Sequence, residues 1–280
     1  MDLSEARVCE SLRGKVTPDE WEVRVNLAAC YRLMDRFGMT DLIYNHISAR
    51  TPDGHDNFLL NAYGMLYGEV TASSLIKVDL HGNVLQKAED LPYSVNVAGF
   101  VIHSAVHEAR PEVQCVIHTH TRAGTAVASL DCGLLPLTQT AMRFDRVAYH
   151  EYEGPAFNAG EKGRLVEDLG DRDVMILRNH GLLACGHSIP QAFNIMYWLE
   201  NACRMQIDAM SCRADLHYPA KEVIAGTARA LAGGEITFDN VEETHPDKRK
   251  GEAKTGGSYG LLEWPALLRM LDRTDPSYKH

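Results

Sequence analysis

The sequence predicts a mixed α/β domain in which helices flank a central β-sheet. Apolar residues recur at helical spacing in some segments, and short apolar runs typical of strands occupy others, without strict alternation between the two. This order favours a flanked sheet over a doubly wound parallel fold. The chain has no internal repeat and no clear linker before residue 215. We therefore expect one domain over residues 1–215 and a helical and loop tail over residues 216–280.

The first half of the chain begins with a helix and continues mainly as strands. In "TPDEWEVRVNLAACYRLMDRFGM", Thr17 is the expected N-cap, Pro18 takes the first helical position, and Gly38 ends the helix. "LIYNHISAR" and "NFLLNAYG" predict strands joined by the turn "TPDGHD", and "SLIKVDLHGNVL" predicts a hairpin. "SVNVAGFVIHSAVHEARP" predicts a helix, and "VQCVIHTHT" predicts a strand that leads into the helix "RAGTAVASL".

The second half adds a strand pair, a long helix and the tail. After "RVAYHEYEG" and a helix around "GEKGRLVEDLG", the segment "DVMILRNHGLLACG" predicts a buried strand, a turn and a returning strand. "SIPQAFNIMYWLENACRMQIDAMSCRA" predicts a long amphipathic helix. The tail combines a short helix, the polar loop "HPDKRKGEAKTGGS" and the apolar segment "LLEWPALLRML". This much apolar surface predicts that the tail packs on the rest of the chain or on a neighbouring subunit. Tyr278 is a candidate to close a functional site there.

Composition limits the classes of function. Hydrophobic residues make up 45% of the 280 residues and charged residues 24%, as in ordinary globular proteins. A net charge of −10 argues against nucleic acid and against an anionic membrane as partners. No apolar run approaches the ~20 residues of a membrane span, and the N-terminus has no apolar signal core. We expect a cytoplasmic protein whose seven singly placed cysteines are reduced, mostly core residues.

Two histidines stand one residue apart at the end of an apolar run. Because side chains alternate along a strand, His118 and His120 face the same side while Thr119 faces away. Two neutral imidazoles so placed can bind one divalent metal, although an exposed polar strand end would show the same pattern. A third histidine, His180, stands directly before Gly181 where a buried strand runs out, which is a rigid support for a functional group.

These motifs together resemble the class II aldolase/adducin family. The resemblance covers about residues 17–212 and is densest in "AGFVIHSAVHEARPEVQCVIHTHTRAGTAVASLDCGLLPLTQTA", "RVAYHEYEG" and "MILRNHGLL". It implies an αβα three-layer sandwich around a mainly antiparallel sheet. It also implies a homotetramer with sites near the subunit interfaces.

The resemblance further implies that His118, His120 and His180 hold one divalent metal per subunit. Three protein ligands leave open positions for a small-molecule substrate. Zinc is the first expectation for an all-imidazole set, with manganese, iron or cobalt as alternatives. The metal would act as a Lewis acid while a carbon–carbon bond next to a carbonyl is cleaved or formed.

The chain departs from the sugar-phosphate aldolases of this family at their catalytic glutamate. That position corresponds to Gly99, so the usual proton shuttle is missing. His103 lies one helical turn further on the same face, which makes it either a catalytic residue or a histidine packed in a helix interface. The segments that bind phosphate in those aldolases also differ here, so a sugar phosphate is disfavoured. They leave six candidate substrate-binding residues: His46, Ser48, Asn61, Gly64, Ser73 and Ser74.

The variant motifs resemble the adducin-like branch, which also contains decarboxylases of hydroxy-aromatic acids. Tyr149, His150 and Tyr152 belong either to a loop that supplies acid/base groups or to a structural strand. If they belong to a loop, His150 and Tyr152 are candidate catalytic residues. Decarboxylation needs no base for its first step, whereas aldol cleavage does.

We therefore expect a metal-dependent lyase, an aldolase or a decarboxylase, that acts on a small hydroxy or oxo acid or on a hydroxy-aromatic acid. The alternatives are a non-haem iron oxygenase on the same fold and a non-catalytic, adducin-like scaffold module. The familiar oxygenase ligand set is two histidines and a carboxylate.

Overall fold

The computed structural model describes residues 9–54, 56–154, 160–231 and 260–280, which form an eight-stranded sheet between two layers of helices. The strands are β1 (His46–Arg50), β2 (Asn57–Leu60), β3 (Ile76–Asp79), β4 (Val84–Gln86), β5 (Cys115–Thr119), β6 (Val147–His150), β7 (Val174–Leu177) and β8 (Gly181–Gly186). The helices are α1 (Pro18–Arg36), α2 (Val97–Ala109), α3 (Arg122–Ala128), α4 (Gln139–Met142), α5 (Glu161–Leu169), α6 (Ile189–Ser211), α7 (Lys221–Leu231) and α8 (Trp264–Thr274).

The sheet is mainly antiparallel, as expected. Its strand order is β4-β3-β2-β1-β5-β8-β7-β6, and β6 and β7 are its one parallel pair among the described residues. β1 and β5 lie side by side at the centre, and every residue of both is buried. Their register places His46 directly opposite His118. Residues opposite each other on paired strands share one face of the sheet, so these two imidazoles stand on the same side.

Each face of the sheet buries its own apolar cluster. On one face α1, α3, α6 and α8 pack over a core that includes Ile47, Ile117 and Leu182. On the other face α2 and α5 cover a second core that includes Val116, Met175 and Leu183. Alternation along the strands supplies both cores. The three-layer α/β sandwich is therefore confirmed.

The N-terminal helix follows its sequence signals closely. Thr17 Oγ1 accepts a hydrogen bond of 3.2 Å from the Glu20 backbone N–H, as expected of an N-cap. The Glu20 carboxylate instead turns inward, where it pairs with Arg24 at 2.8 Å and Lys77 at 2.9 Å. Because all three side chains are buried, this ion-pair cluster joins α1 to β3 rather than capping the helix.

Two segments differ from the sequence expectation. Tyr149 and His150 lie in β6, so the loop alternative is wrong for them, while Tyr152 follows the strand. Alternation in β6 turns Ala148 and His150 inward, and pairing with β7 holds this edge strand in place. The short helix α4 had no recognisable signal because four residues carry no helical period.

The end of the chain docks on the body of the same chain. Trp264 Nε1 donates a 2.8 Å hydrogen bond to Asn26 Oδ1 of α1, and its ring lies 5.8 Å from that of Phe193 in α6. Tyr278 is fully buried, and its hydroxyl donates to Asp272 Oδ1 at 2.8 Å. The predicted polar loop, residues 245–258, lies outside the described residues.

No helix in the described part of the chain is both long and apolar enough to cross a membrane. All seven cysteines are free thiols. Five of them are buried, as expected of small core residues, and two are exposed, namely Cys132 and Cys212.

Candidate metal centre

Three histidine side chains meet at one end of the central strands. The Nε2 atoms of His118 and His120 are 2.8 Å apart, and those of His120 and His180 are 2.9 Å apart. His118 is the fourth residue of β5, His120 follows the strand directly, and His180 stands in the turn between β7 and β8. The structure thus brings together the three histidines that the sequence singled out, with their donor atoms all within 4.8 Å of one another.

The turn that carries His180 explains the N-H-G pattern. Asn179 adopts a left-handed conformation with φ of 55°, which asparagine tolerates better than most residues. A Cβ at Gly181 would lie 2.2 Å from the Thr119 carbonyl oxygen, so only glycine lets β8 approach β5 at this point. Thr125 Oγ1 donates a 3.1 Å hydrogen bond to the His180 carbonyl and fixes the turn from α3.

Hydrogen bonds on the far side of the rings set their tautomers. His118 Nδ1 lies 2.9 Å from the Leu182 carbonyl oxygen, which can only accept, so Nδ1 carries the proton and Nε2 the lone pair. His120 Nδ1 lies 3.4 Å from Asp41 Oδ2, which favours the same tautomer. Oxygen acceptors behind the ligand rings are the usual support of histidine metal sites.

Burial keeps these imidazoles neutral. Desolvation lowers the pKa of His118 well below its usual range, lowers the pKa of His120, and lowers the pKa of His180 to about 4. The lone pairs of His118 Nε2 and His120 Nε2, which face each other at 2.8 Å, cannot hydrogen-bond to one another. A donor set of three neutral imidazoles whose Nε2 atoms converge therefore fits a divalent metal ion.

His46 occupies the space in front of Gly99, the position at which the resemblance implies a glutamate in the sugar-phosphate aldolases. A Cβ built on Gly99 would lie 2.5 Å from Cγ and Cδ2 of the His46 ring, far inside van der Waals contact. The His46 ring is nearly parallel to that of His118, at an interplanar angle of 13° and a centroid distance of 6.5 Å. An imidazole from β1 therefore fills the volume that a side chain from α2 would otherwise take.

His103 and His107 are joined to β1 through one hydroxyl. Ser48 Oγ lies 2.6 Å from His103 Nδ1 and 2.8 Å from His107 Nε2, and all three residues are buried. Since a serine has one hydroxyl proton, one of these two nitrogens accepts from Ser48 while the other donates to it. The structure thus engages His103 in a buried contact between α2 and β1. Its catalytic role stays a prediction.

Tyr152 and His150 lie on the open side of His180. Both line a small cavity together with Glu161, Arg178 and His180. Tyr152 is 53% exposed, and its ring centroid is 6.3 Å from that of His180. His150 is buried between two carboxylates, with Nδ1 2.7 Å from Asp168 Oδ2 and Nε2 3.6 Å from Glu161 Oε1.

The other candidate substrate-binding residues are held in local contacts. Asn61 Oδ1 accepts a 3.0 Å hydrogen bond from the Tyr31 hydroxyl. Ser73 Oγ accepts from the Leu12 N–H at 3.0 Å, and Ser74 Oγ accepts from the Thr71 N–H at 2.8 Å.

Gly64 has a φ of 114°, and its backbone packs against the Tyr93 ring. These contacts account for the four residues structurally, and their role toward a substrate stays a prediction.

Sequence reasoning missed Asp41, because nothing in the chain signals that it would stand behind His120.

Comparisons with known proteins agree with this fold. The family model described as "Class II Aldolase and Adducin N-terminal domain" matches residues 25–207. A putative aldolase class 2 protein of Pseudomonas aeruginosa is 45% identical over 269 residues, which cover 96% of each chain. Rat (Rattus norvegicus) alpha-adducin is 37% identical over an alignment that covers 100% of this chain, although the chain spans only 38% of that adducin's length.

Two solved structures show the same architecture. An aldolase II superfamily protein from Pseudomonas syringae has a TM-score of 0.83 at 44% identity, covering 97% of this chain and 100% of its own. An L-fuculose 1-phosphate aldolase from Glaciozyma antarctica has a TM-score of 0.75 at 26% identity and covers 93% of both chains. The chain therefore belongs to the class II aldolase and adducin family.

Proposed function

We propose that this chain is a metal-dependent lyase that cleaves or forms a carbon–carbon bond next to a carbonyl. The observation that carries the proposal is the convergence of three neutral imidazole nitrogens, His118, His120 and His180, in a chain of this family. When bound, a divalent metal supplies a Lewis acid that stabilises the negative charge left on a substrate oxygen as the bond breaks.

The three histidines would hold the metal through Nε2, and Leu182 and Asp41 support two of the rings from behind. An all-imidazole set suits zinc first, with manganese, iron or cobalt as alternatives. The iron-oxygenase alternative fits less well, because Asp41 approaches Nδ1 of His120 and not the side where the three Nε2 atoms meet.

Three residues are candidates for moving protons: His103, His150 and Tyr152. Tyr152 has the best access, since its ring is half exposed beside His180. His103 is fully buried and hydrogen-bonded to Ser48, and His150 is hydrogen-bonded to Asp168. We assign Tyr152 the role of proton donor to the carbanion or enolate that bond cleavage leaves behind.

The substrate we propose is a small hydroxy or oxo acid or a hydroxy-aromatic acid. Gly99 brings no carboxylate to the site, so no strong base stands there to take the hydroxyl proton that starts an aldol cleavage. Decarboxylation starts without a base and needs one proton afterwards. The missing carboxylate therefore favours decarboxylation over aldol cleavage.

The test is a parallel assay of the zinc- and manganese-loaded protein. Sugar phosphates, including L-fuculose 1-phosphate, are compared with hydroxy-aromatic acids and 2-oxo-hydroxy acids, and both aldehyde formation and carbon dioxide release are measured. We expect carbon dioxide from at least one acid and a Tyr152→Phe variant that is slower by 10²-fold or more. Cleavage of a sugar phosphate with no carbon dioxide from any acid would contradict the preference for decarboxylation.

A scaffold role without catalysis is the second candidate, because alpha-adducin aligns with the whole chain. The three histidines whose donor atoms lie within 4.8 Å of one another favour the catalytic role over a scaffold role. A protein that binds no metal would favour this alternative.

We also propose that the protein assembles as a homotetramer with its sites near the subunit interfaces. The proposal rests on the family resemblance; the single chain also exposes large apolar side chains, among them Leu42, Val223 and Leu262. Light scattering at micromolar concentration tests this assembly, and a monomer would contradict it.

A further inference from the structure

A group of buried polar atoms beside the metal centre has no hydrogen-bond partner within the described part of the chain. Both ring nitrogens of His46 belong to it, together with Nε2 of His103, whose ring centroid lies 6.0 Å from that of His46. His46 is only 5% exposed. Buried polar groups are almost always hydrogen-bonded, because an unsatisfied one costs about 1–3 kcal/mol. Unpaired imidazole nitrogens at this place therefore call for a polar ligand atom.

The position of His46 says where that atom would lie. His46 faces His118 across the β1–β5 register, and the two rings are stacked on the same face of the sheet. Gly99 of α2 backs the ring from the other side, so the ring cannot turn away toward the helix. His46 thus stands between α2 and His118, one of the three converging histidines.

Charge indicates what kind of ligand fits. A histidine binds a metal as a neutral imidazole, so His118, His120 and His180 would bring no negative charge to the ion. Gly99 brings no carboxylate either, so a divalent cation at this place would keep a net positive charge. A substrate that brings its own negative charge is then favoured, and a neutral imidazole can donate one N–H to an anionic oxygen.

We propose that His46 binds a carboxylate oxygen of the substrate, and that Gly99 is a specificity-determining residue because it leaves the volume that His46 needs. The proposal rests on the proposed metal-dependent function and assigns the carboxylate of its acid substrate to His46. His46 takes the place of a residue that would add negative charge, and it supplies a hydrogen-bond donor instead.

The test measures binding rather than turnover. The full-length protein loaded with zinc is titrated with oxalate, a small dianion, by calorimetry. Wild type is compared with His46→Phe, which keeps a ring but loses both nitrogens, and with His46→Gln, which restores an N–H donor. Zinc content and melting temperature are recorded for each sample, so that a loss of metal or of fold is not mistaken for a loss of binding.

We expect all three proteins to keep zinc, and His46→Phe to bind oxalate at least tenfold more weakly, as for a lost hydrogen bond to a charged group. His46→Gln is expected to recover part of the affinity. Gly99→Ala, whose added methyl group displaces the His46 ring, is expected to weaken oxalate binding as well. This variant tests the role of His46 if the His46 variants do not fold. Equal oxalate affinity in wild type and in zinc-loaded His46→Phe would overturn the role of His46 and leave the metal centre standing. A wild type that binds no zinc or other divalent metal would overturn both.

Discussion

The His46 ring fills the space that a side chain at Gly99 would need: a Cβ on Gly99 would lie 2.5 Å from the ring. Real Cβ atoms do not approach other heavy atoms so closely, so the two positions depend on each other. The large His46 side chain of β1 fits here only because α2 carries a glycine, which has no side chain, at position 99.

The first prediction concerns this shared volume. Gly99→Ala is expected to destabilise the protein by about 1–3 kcal/mol, the usual range for overpacking a filled interior. In a His46→Ser background the same change should cost nothing, or stabilise, because the Cβ then has room and alanine favours the helix. Denaturant unfolding of the four proteins measures the coupling. Equal costs in both backgrounds would show that the two side chains do not compete.

The second prediction concerns acid stability. Burial, together with the nearby Arg50 guanidinium, lowers the pKa of His107 to about 3, against an ordinary value of 6.5. Between pH 6.5 and pH 3 the unfolded chain binds a proton that the folded chain refuses, so His107 makes the free energy of unfolding fall as the pH falls. From pH 7 to pH 5 this loss is about 2 kcal/mol.

His107→Gln keeps a polar side chain next to Ser48 but cannot titrate. Urea unfolding at pH 7 and at pH 5 should therefore show a pH-dependent loss that is smaller by about 2 kcal/mol in the variant. His187→Gln is the matched control, since His187 is exposed. A variant with the full pH dependence of wild type would mean that His107 is charged in the folded protein.

The third prediction concerns the carboxylate behind His120. Asp41→Ala removes the acceptor 3.4 Å from His120 Nδ1 and should weaken metal affinity roughly tenfold or more, the usual effect of losing such support. Competition with a chelator of known affinity measures the change. Asp171→Ala, at an exposed surface ion pair with Arg146, serves as control and should leave the affinity unchanged. Identical affinities in both variants would assign Asp41 no role at the centre.

The sequence predicts those parts of the molecule whose signals are local. The cap at Thr17, the spacing of His118 and His120, and the glycine after His180 each depend on a few neighbouring residues. A strand period of two and a close backbone approach at Gly181 leave visible marks in the chain.

What could not be predicted depends on register and on contacts between distant segments. The pairing of His46 with His118 depends on which strand pairs with β1. The hydrogen bond between Ser48 and His103 depends also on which face of the sheet α2 covers. A shift of one residue would turn His46 to the other side of the sheet. The parallel pairing that places Tyr149 and His150 in a strand is likewise set by the whole sheet.

The most direct test of the account is the metal content of the purified protein and of three variants, His118→Ala, His120→Ala and His180→Ala. Metal analysis by mass spectrometry after dialysis against metal-free buffer provides the number of ions per subunit, and circular dichroism confirms the fold of each sample. His187→Ala, which removes an exposed histidine just after the opposite end of β8 from His180, is the control. We expect about one divalent ion per subunit in wild type and in the control, and a sharp loss in each of the three variants. Full metal retention in all three variants, or no metal in wild type after incubation with zinc and manganese, would contradict it.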